Sequence, residues 1–184
     1  MKFKMFLYAM LFGCVLLVQE GQAQVTEIKY QIRYNTTNCR WDCYLIIVAG
    51  SATTAPERAQ FNAQFSVVIP TGSTIAVAQN FMPLNNNQTY TGTVPLKWQL
   101  SSIILAPAAE PQSDFVSITP TLSPTSFYNN LNPGDTIKLF SLNIGIPSNV
   151  KDCGTSVRIY RNGIDPDSSA DGMEGGDFSN GFTM

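Results

Sequence analysis

Beyond Ala23 the chain reads with a period of two. Ile28, Tyr30, Ile32 and Tyr34 alternate with Lys29, Gln31 and Arg33, and Phe61, Ala63, Phe65, Val67 and Ile69 alternate with Asn62, Gln64 and Ser66. Successive side chains of a strand point to opposite faces, so this pattern describes half-buried strands. Tyr44 to Val48 is a continuous apolar run, better suited to a central strand. Further strands are expected at Thr74–Ala78, Leu96–Leu105, Phe115–Thr119, Thr136–Ile144 and Ser156–Arg161, between junctions rich in Pro, Gly, Asn and Ser. Pro56 to Gln60 suits one helical turn, and no other stretch holds a 3.6-residue period. About eight or nine strands in one domain require two packed sheets, because a lone sheet leaves an apolar face in water. The expected fold is all-β, a two-sheet β-sandwich or jelly roll. No internal repeat is visible, which removes propellers and solenoids. The shared phase of Ile28, Tyr30, Ile32, Phe61, Phe65, Val67, Ile69, Leu100, Ile137, Leu139 and Ile159 makes them the expected core. Trp41 and Trp98 fall in phase with apolar neighbours and belong there too.

The N-terminus has the three-part layout of a secretory signal peptide: Lys2 and Lys4, the apolar run Met5 to Val18, then Gly21-Gln22-Ala23 with small residues before Gln24. The run is shorter than the roughly 20 residues a membrane span needs. A lipoprotein reading would lipidate Cys14, but Phe12 and the following Val15-Leu16-Leu17-Val18 argue against it. Residues 1–23 are therefore expected to be a cleaved signal, and 24–184 one secreted or cell-surface domain with no membrane insertion after cleavage. From Gln24 onward 9 basic and 12 acidic residues give a net charge of −3, which offers no footprint for nucleic acid.

Histidine is absent from the sequence, which excludes Ser-His-Asp and Cys-His nucleophile activation. A carboxylate pair remains formally available for glycoside hydrolysis, but Glu27, Asp42, Glu57, Glu110 and Asp114 are scattered, as solvated acids are. A non-enzyme is expected. In an oxidising compartment Cys39, Cys43 and Cys153 are expected to pair, with one left over. A Cys39–Cys153 bridge is favoured over Cys43–Cys153. Asp165, Asp167, Asp171, Glu174 and Asp177 crowd a Gly-rich stretch, and clustered oxygen ligands suit calcium. No other cofactor is required. As an EF-hand loop the stretch fails at Ala170 and Gly176, and turn-capping carboxylates are the plainer reading. Phe81, Tyr90, Phe127 and Tyr128 fall in expected loops and form a candidate contact surface. Asn35-Thr36-Thr37 and Asn87-Gln88-Thr89 match the short N-glycosylation pattern. On composition alone the residues from Gly163 onward read as a flexible tail.

Four stretches occur in order: Ala55 to Pro70 (APERAQFNAQFSVVIP), Asn132-Pro-Gly-Asp-Thr-Ile-Lys-Leu-Phe-Ser-Leu, Cys153-Gly-Thr-Ser-Val-Arg-Ile-Tyr-Arg-Asn-Gly-Ile-Asp-Pro-Asp, and Gly175-Gly176-Asp177-Phe178-Ser179-Asn180-Gly181. With them the chain resembles the cohesin-like N-terminal module of secreted adhesin-type surface proteins from Bacteroidota. The resemblance implies a nine-strand jelly roll related to cohesins and carbohydrate-binding modules, displayed at the cell surface, with the Asp/Gly-rich block ordered rather than loose. Such relatives continue into further domains and a sorting segment. Here the sequence stops at Met184, as a stand-alone subunit or an incomplete reading frame would. The expected function is a non-catalytic adhesion or structural module acting on extracellular protein or polysaccharide. A carbohydrate-binding module is the alternative, ahead of a filament or sheath subunit or a carboxylate-based glycosidase.

Overall fold

A computed structural model describes residues 24–54, 56–58, 62–81, 97–121, 128–147 and 156–183. Among them the chain is all-β, with nine strands in two antiparallel sheets. These are β1 (Glu27–Asn35), β2 (Arg40–Ala49), β3 (Asn62–Pro70), β4 (Thr74–Asn80), β5 (Lys97–Leu105), β6 (Ser113–Thr121), β7 (Thr136–Gly145), β8 (Arg158–Ile159) and β9 (Gly181–Thr183). One sheet has the order β1-β2-β7-β4; the other runs β5-β6-β3-β8, with β9 also pairing to β3. The expected two-sheet sandwich is what forms. The expected last long strand is cut to two residues, and β9 lies in the stretch composition had assigned to a loose tail.

The alternation sets which face each residue takes. Trp41, Cys43, Leu45 and Ile47 of β2 point inward to meet Phe65, Val67 and Ile69 of β3, Val116 and Ile118 of β6, Trp98 of β5, and Ile137, Leu139 and Phe140 of β7. Ile28, Tyr30, Ile32, Leu100 and Ile159 pack against this core while half-buried. Every described member of the expected core is there; Phe61 lies outside the described residues. Tyr44 to Val48 departs from its reading as a fully buried run. β2 is central, but Tyr44 and Ile46 are half-buried and Val48 is exposed on its outer face.

The outer face of β5-β6-β3-β8 is also apolar, and the chain covers it with its own C-terminal block. Val68 and Phe115 point away from the main core into a second one with Tyr160, Met173 and Phe178, flanked by Ile104 and Ala170. Residues 160–180 are thus the lid of a sheet, and not a tail. Gly172 permits the approach: its φ is +80°, and a Cβ there would stand 2.6 Å from Ala108 N. At Asn132–Asp135 the Pro-Gly turn closes through Asp135 N donating to Asn132 O at 3.0 Å, with Gly134 at φ +92°.

The Phe65 ring lies 4.8 Å from that of Tyr30 and 5.3 Å from that of Phe140, at the centre of the main core. Phe65→Ala is expected to cost about 3–5 kcal/mol in urea unfolding. A loss under about 1 kcal/mol would mean that Phe65 faces outward and the strand phase is inverted.

Candidate functional site

Most polar side chains with chemical potential are engaged in sewing the sandwich together. Asn180 continues from β9 alongside β3, at the point where β8 has ended. Its Oδ1 accepts Ser66 N at 2.7 Å, and its Nδ2 donates to Tyr160 O at 2.6 Å. The side-chain amide occupies the place of a peptide group in the ladder between those two residues. Asn180 N in turn donates to Asn162 Oδ1, and Asn162 Nδ2 to Asn180 O, both at 2.8 Å. Gln64 Nε2 donates to Asp177 O at 2.7 Å and Ser179 O at 3.1 Å, and Tyr30 Oη donates to Gly181 O at 3.0 Å. At the opposite edge Asn80 makes a similar splice: Trp98 N donates to its Oδ1 at 2.6 Å and its Nδ2 donates to Trp98 O at 3.4 Å, joining β4 to β5. Asp114, buried, accepts from Ala106 N, Thr71 Oγ1 and Gly72 N at 2.9–3.1 Å and fixes two loops at once.

The acidic block follows the same economy. Asp165 is buried and accepts from Arg158 Nη1, from Arg161 N at 2.7 Å, and from Arg161 Nε and Nη2 at 3.2 and 2.9 Å. Arg158 reaches Glu110 as well, at 3.4 Å. Burial alone would raise the Asp165 carboxyl, but the hydrogen bonds from Arg158 and Arg161 outweigh it and hold the group below the usual carboxylate range. Asp167 accepts from Ser169 Oγ and N at 2.6 and 2.9 Å, which also lowers it, and Asp177 accepts from Ser179 N at 2.9 Å. Asp171 contributes its backbone carbonyl to Ala109 N at 2.9 Å. Tyr160 registers this crowding of acids, its phenol pushed up by burial and then by Asp165, Asp167 and Asp177.

No three His, Cys, Asp or Glu side chains converge on a common point among the described residues. The acids expected as ligands are used otherwise: Asp165 by two arginines, Asp167 and Asp177 by their own turns, while Glu174 and the Asp171 carboxylate stand exposed. Cys39 and Cys43 are free thiols, the first exposed and the second buried. No disulfide is present among the described residues, and Cys153, the partner expected for Cys39, lies outside them. Cys39 folds back into its own turn, with Sγ 4.0 Å from Thr36 O. Burial pushes the Cys43 thiol up and Asp42 adds to this, while Lys138 opposes it, so the thiol stays protonated and inert.

Of the four aromatic residues expected at a contact surface, Tyr128 is a correction. It is fully buried, its ring 6.0 Å from that of Phe182, because residues 128–131 turn inward to the bridge between Ala52 and Leu131. Tyr90 and Phe127 lie outside the described residues. Phe81 is half-buried beneath Lys138, whose Nζ stands 4.2 Å from the ring centre. It marks the rim of a surface that the sequence did not single out, the outer face of β1, β2 and β7. There Gln31 pairs with Tyr44, Arg33 with Asp42 and Asn35 with Arg40, and Tyr44 and Asp42 in turn oppose Lys138 and Ser141. Arg33 lies over the Tyr44 ring at 4.9 Å. Lys138 Nζ meets Asp42 Oδ2 at 2.8 Å, an oxygen that also accepts Asn35 Nδ2 at 3.0 Å. A separate depression of about 260 Å³ opens between β1 and β8, lined by Ile28, Lys29, Tyr30, Ile159, Tyr160, Asn162 and Asn180. Comparison of the chain with protein families, with curated proteins and with solved structures returns no match.

Two outcomes follow from the C-terminal splice and the Asp165 cluster. Asn180→Ala leaves Ser66 N and Tyr160 O without partners and is expected to cost about 2–3 kcal/mol, with faster hydrogen exchange at the Ser66 amide. Asp165→Asn is expected to cost about 2 kcal/mol at neutral pH. Because the folded carboxyl is depressed, its contribution is complete above the unfolded value of about 3.9 and disappears as pH falls through the folded value. Melts of wild type and Asp165→Asn should therefore begin to converge only below about pH 4 and meet once the pH has fallen through the folded value; a constant gap down to strong acid would show that the charge does not stabilise the block.

Proposed function

We propose that the domain is an extracellular, non-catalytic adhesion or structural module of a cell surface or matrix, acting by contact with protein or glycan. The observation that carries this reading is the outer face of β1 and β2, where Arg33 stands exposed over the Tyr44 ring and Arg40 is held by Gln79 beside the buried Asp42. The absence of histidine from the sequence and the engagement of Asp114 and Asp165 in structural hydrogen bonds agree with a contact role. The likeness of the C-terminal stretches to adhesin modules supports the cell-surface setting.

The same face separates this reading from that of a carbohydrate-binding module. A neutral sugar stacks on an open aromatic face, whereas one side of Tyr44 is taken by Arg33 and one side of Phe81 by Lys138. The face suits a partner that presents acidic groups. Retention of the purified protein on a glycan array, on insoluble polysaccharides and on immobilised extracellular proteins tests the reading. Binding is expected on acidic partners, weakening with salt, and Arg33→Ala is expected to weaken it about two- to five-fold. Binding to neutral polysaccharide that is indifferent to Arg33 and Tyr44 would favour the carbohydrate-binding module instead, and turnover of a glycan in the same assay would overturn the non-catalytic reading.

A further inference from the structure

Resting on that contact reading, the partner of the cationic face can be named from the charges on the rest of the molecule. Arg33 and Arg40 project from the outer face of β1 and β2, and among the described residues neither meets a carboxylate. Arg33 and Arg40 are held instead by neutral partners, Gln31 Oε1 and Gln79 Oε1. Lys138 is cancelled by Asp42, and Glu27 stands at the far end of β1. The face therefore keeps an excess of positive charge in a chain whose net charge is negative.

The balancing excess lies on the other side of the sandwich. In the block that covers the outer face of β5-β6-β3-β8, Asp165 and Glu110 are matched by Arg158 and Arg161. Asp167, Asp171, Glu174 and Asp177 remain, all four exposed and none in an ion pair among the described residues. Val68, Phe115 and Arg158 point to this side, and Trp41, Cys43 and Leu45 point away from the cationic one. Two packed sheets separate the faces. The domain is a tile, basic on one broad face and acidic on the opposite one.

We propose that the cationic face docks the acidic C-terminal block of a second copy of this chain, head to tail. A two-fold contact is disfavoured, because pairing either face with itself would set like charges against each other. A head-to-tail contact leaves one free face of each sign at the two ends, so it propagates as a row of copies. Exposed ion pairs contribute little individually and are screened by salt. The contact is accordingly weak in dilute solution and grows with concentration at low ionic strength.

Sedimentation of the purified protein over a wide concentration range, at about 20 mM and about 500 mM salt, tests this. Wild type is expected to show a weight-average mass that rises with concentration at low salt and returns to monomer at high salt. The variant with Arg33→Glu and Arg40→Glu, and the variant with Asp171→Lys and Glu174→Lys, should each stay monomeric at low salt. Mixed in equal amounts they should associate again, since each retains the native face that the other lacks; that recovery also shows both to be folded. A wild type that remains monomeric at low salt, or association that neither charge reversal changes, would overturn the proposal. A monomeric protein that still binds an immobilised acidic polysaccharide through Arg33 and Arg40 would overturn the second copy as partner while leaving the contact reading intact.

Discussion

The β5-β6-β3-β8 sheet is apolar on both faces, and most of what is unusual in the structure follows from that. Val67 and Ile69 face one side, Val68 the other; Val116 and Ile118 face one side, Phe115 the other. Leaving either side in water would forfeit about 1.5–3 kcal/mol for each large side chain exposed, against a net stability of only about 5–15 kcal/mol for a typical domain. Two covers are needed. The β1-β2-β7-β4 sheet is one, and the loop carrying Tyr160, Met173 and Phe178 is the other. A loop can serve as a cover only if its backbone polar groups find partners. The Asn180 amide, Gln64, the Arg158–Asp165–Arg161 cluster and the small turns at Asp167 and Asp177 provide them.

The sandwich has two open sides, and each is closed by a side-chain amide doing the work of a peptide bond. Asn80 joins the sheets where β4 faces β5, and Asn180 fills the ladder where β8 gives way to β9. Such a splice satisfies the exposed backbone groups of an edge without lengthening a strand, and so limits what another chain could add there. The polarity left for recognition is then on the broad faces.

The alternation of β1, β3 and β7 made those strands and the main core legible, because a period of two is a local property. Whether a second face is covered is not local. Tyr44 to Val48 reads as a run for a doubly buried strand and Asn62 to Ile69 as a half-buried one, yet Ser66 to Ile69 is the stretch buried on both faces, because it lies beneath the C-terminal block. Tyr128 was misread for a related reason: its polar neighbours suggested a surface loop, while the pairing of Ala52 with Leu131 carries it inward. The cationic face escaped notice because its members come from three separated segments and converge only in the sheet. The Asp165 cluster was half legible. Arg158 and Arg161 are close in sequence, but nothing local says that they would be consumed by one carboxylate.

The location of the clasp also has a consequence in time. Tyr30 and Gly181 are joined although 151 residues separate them, and β3 waits for β9 on one edge and for Phe178 on one face. A ribosome makes residues 160–183 after all the strands that they cover. Until then β3 carries an uncovered apolar face and an unpaired edge, a combination that invites association with other chains. Closure of this domain therefore waits for its last-made segment and is dominated by contacts distant in sequence, which is the regime of slow folding. Any factor that holds the nascent chain need only shield β3 and β6 until the clasp arrives.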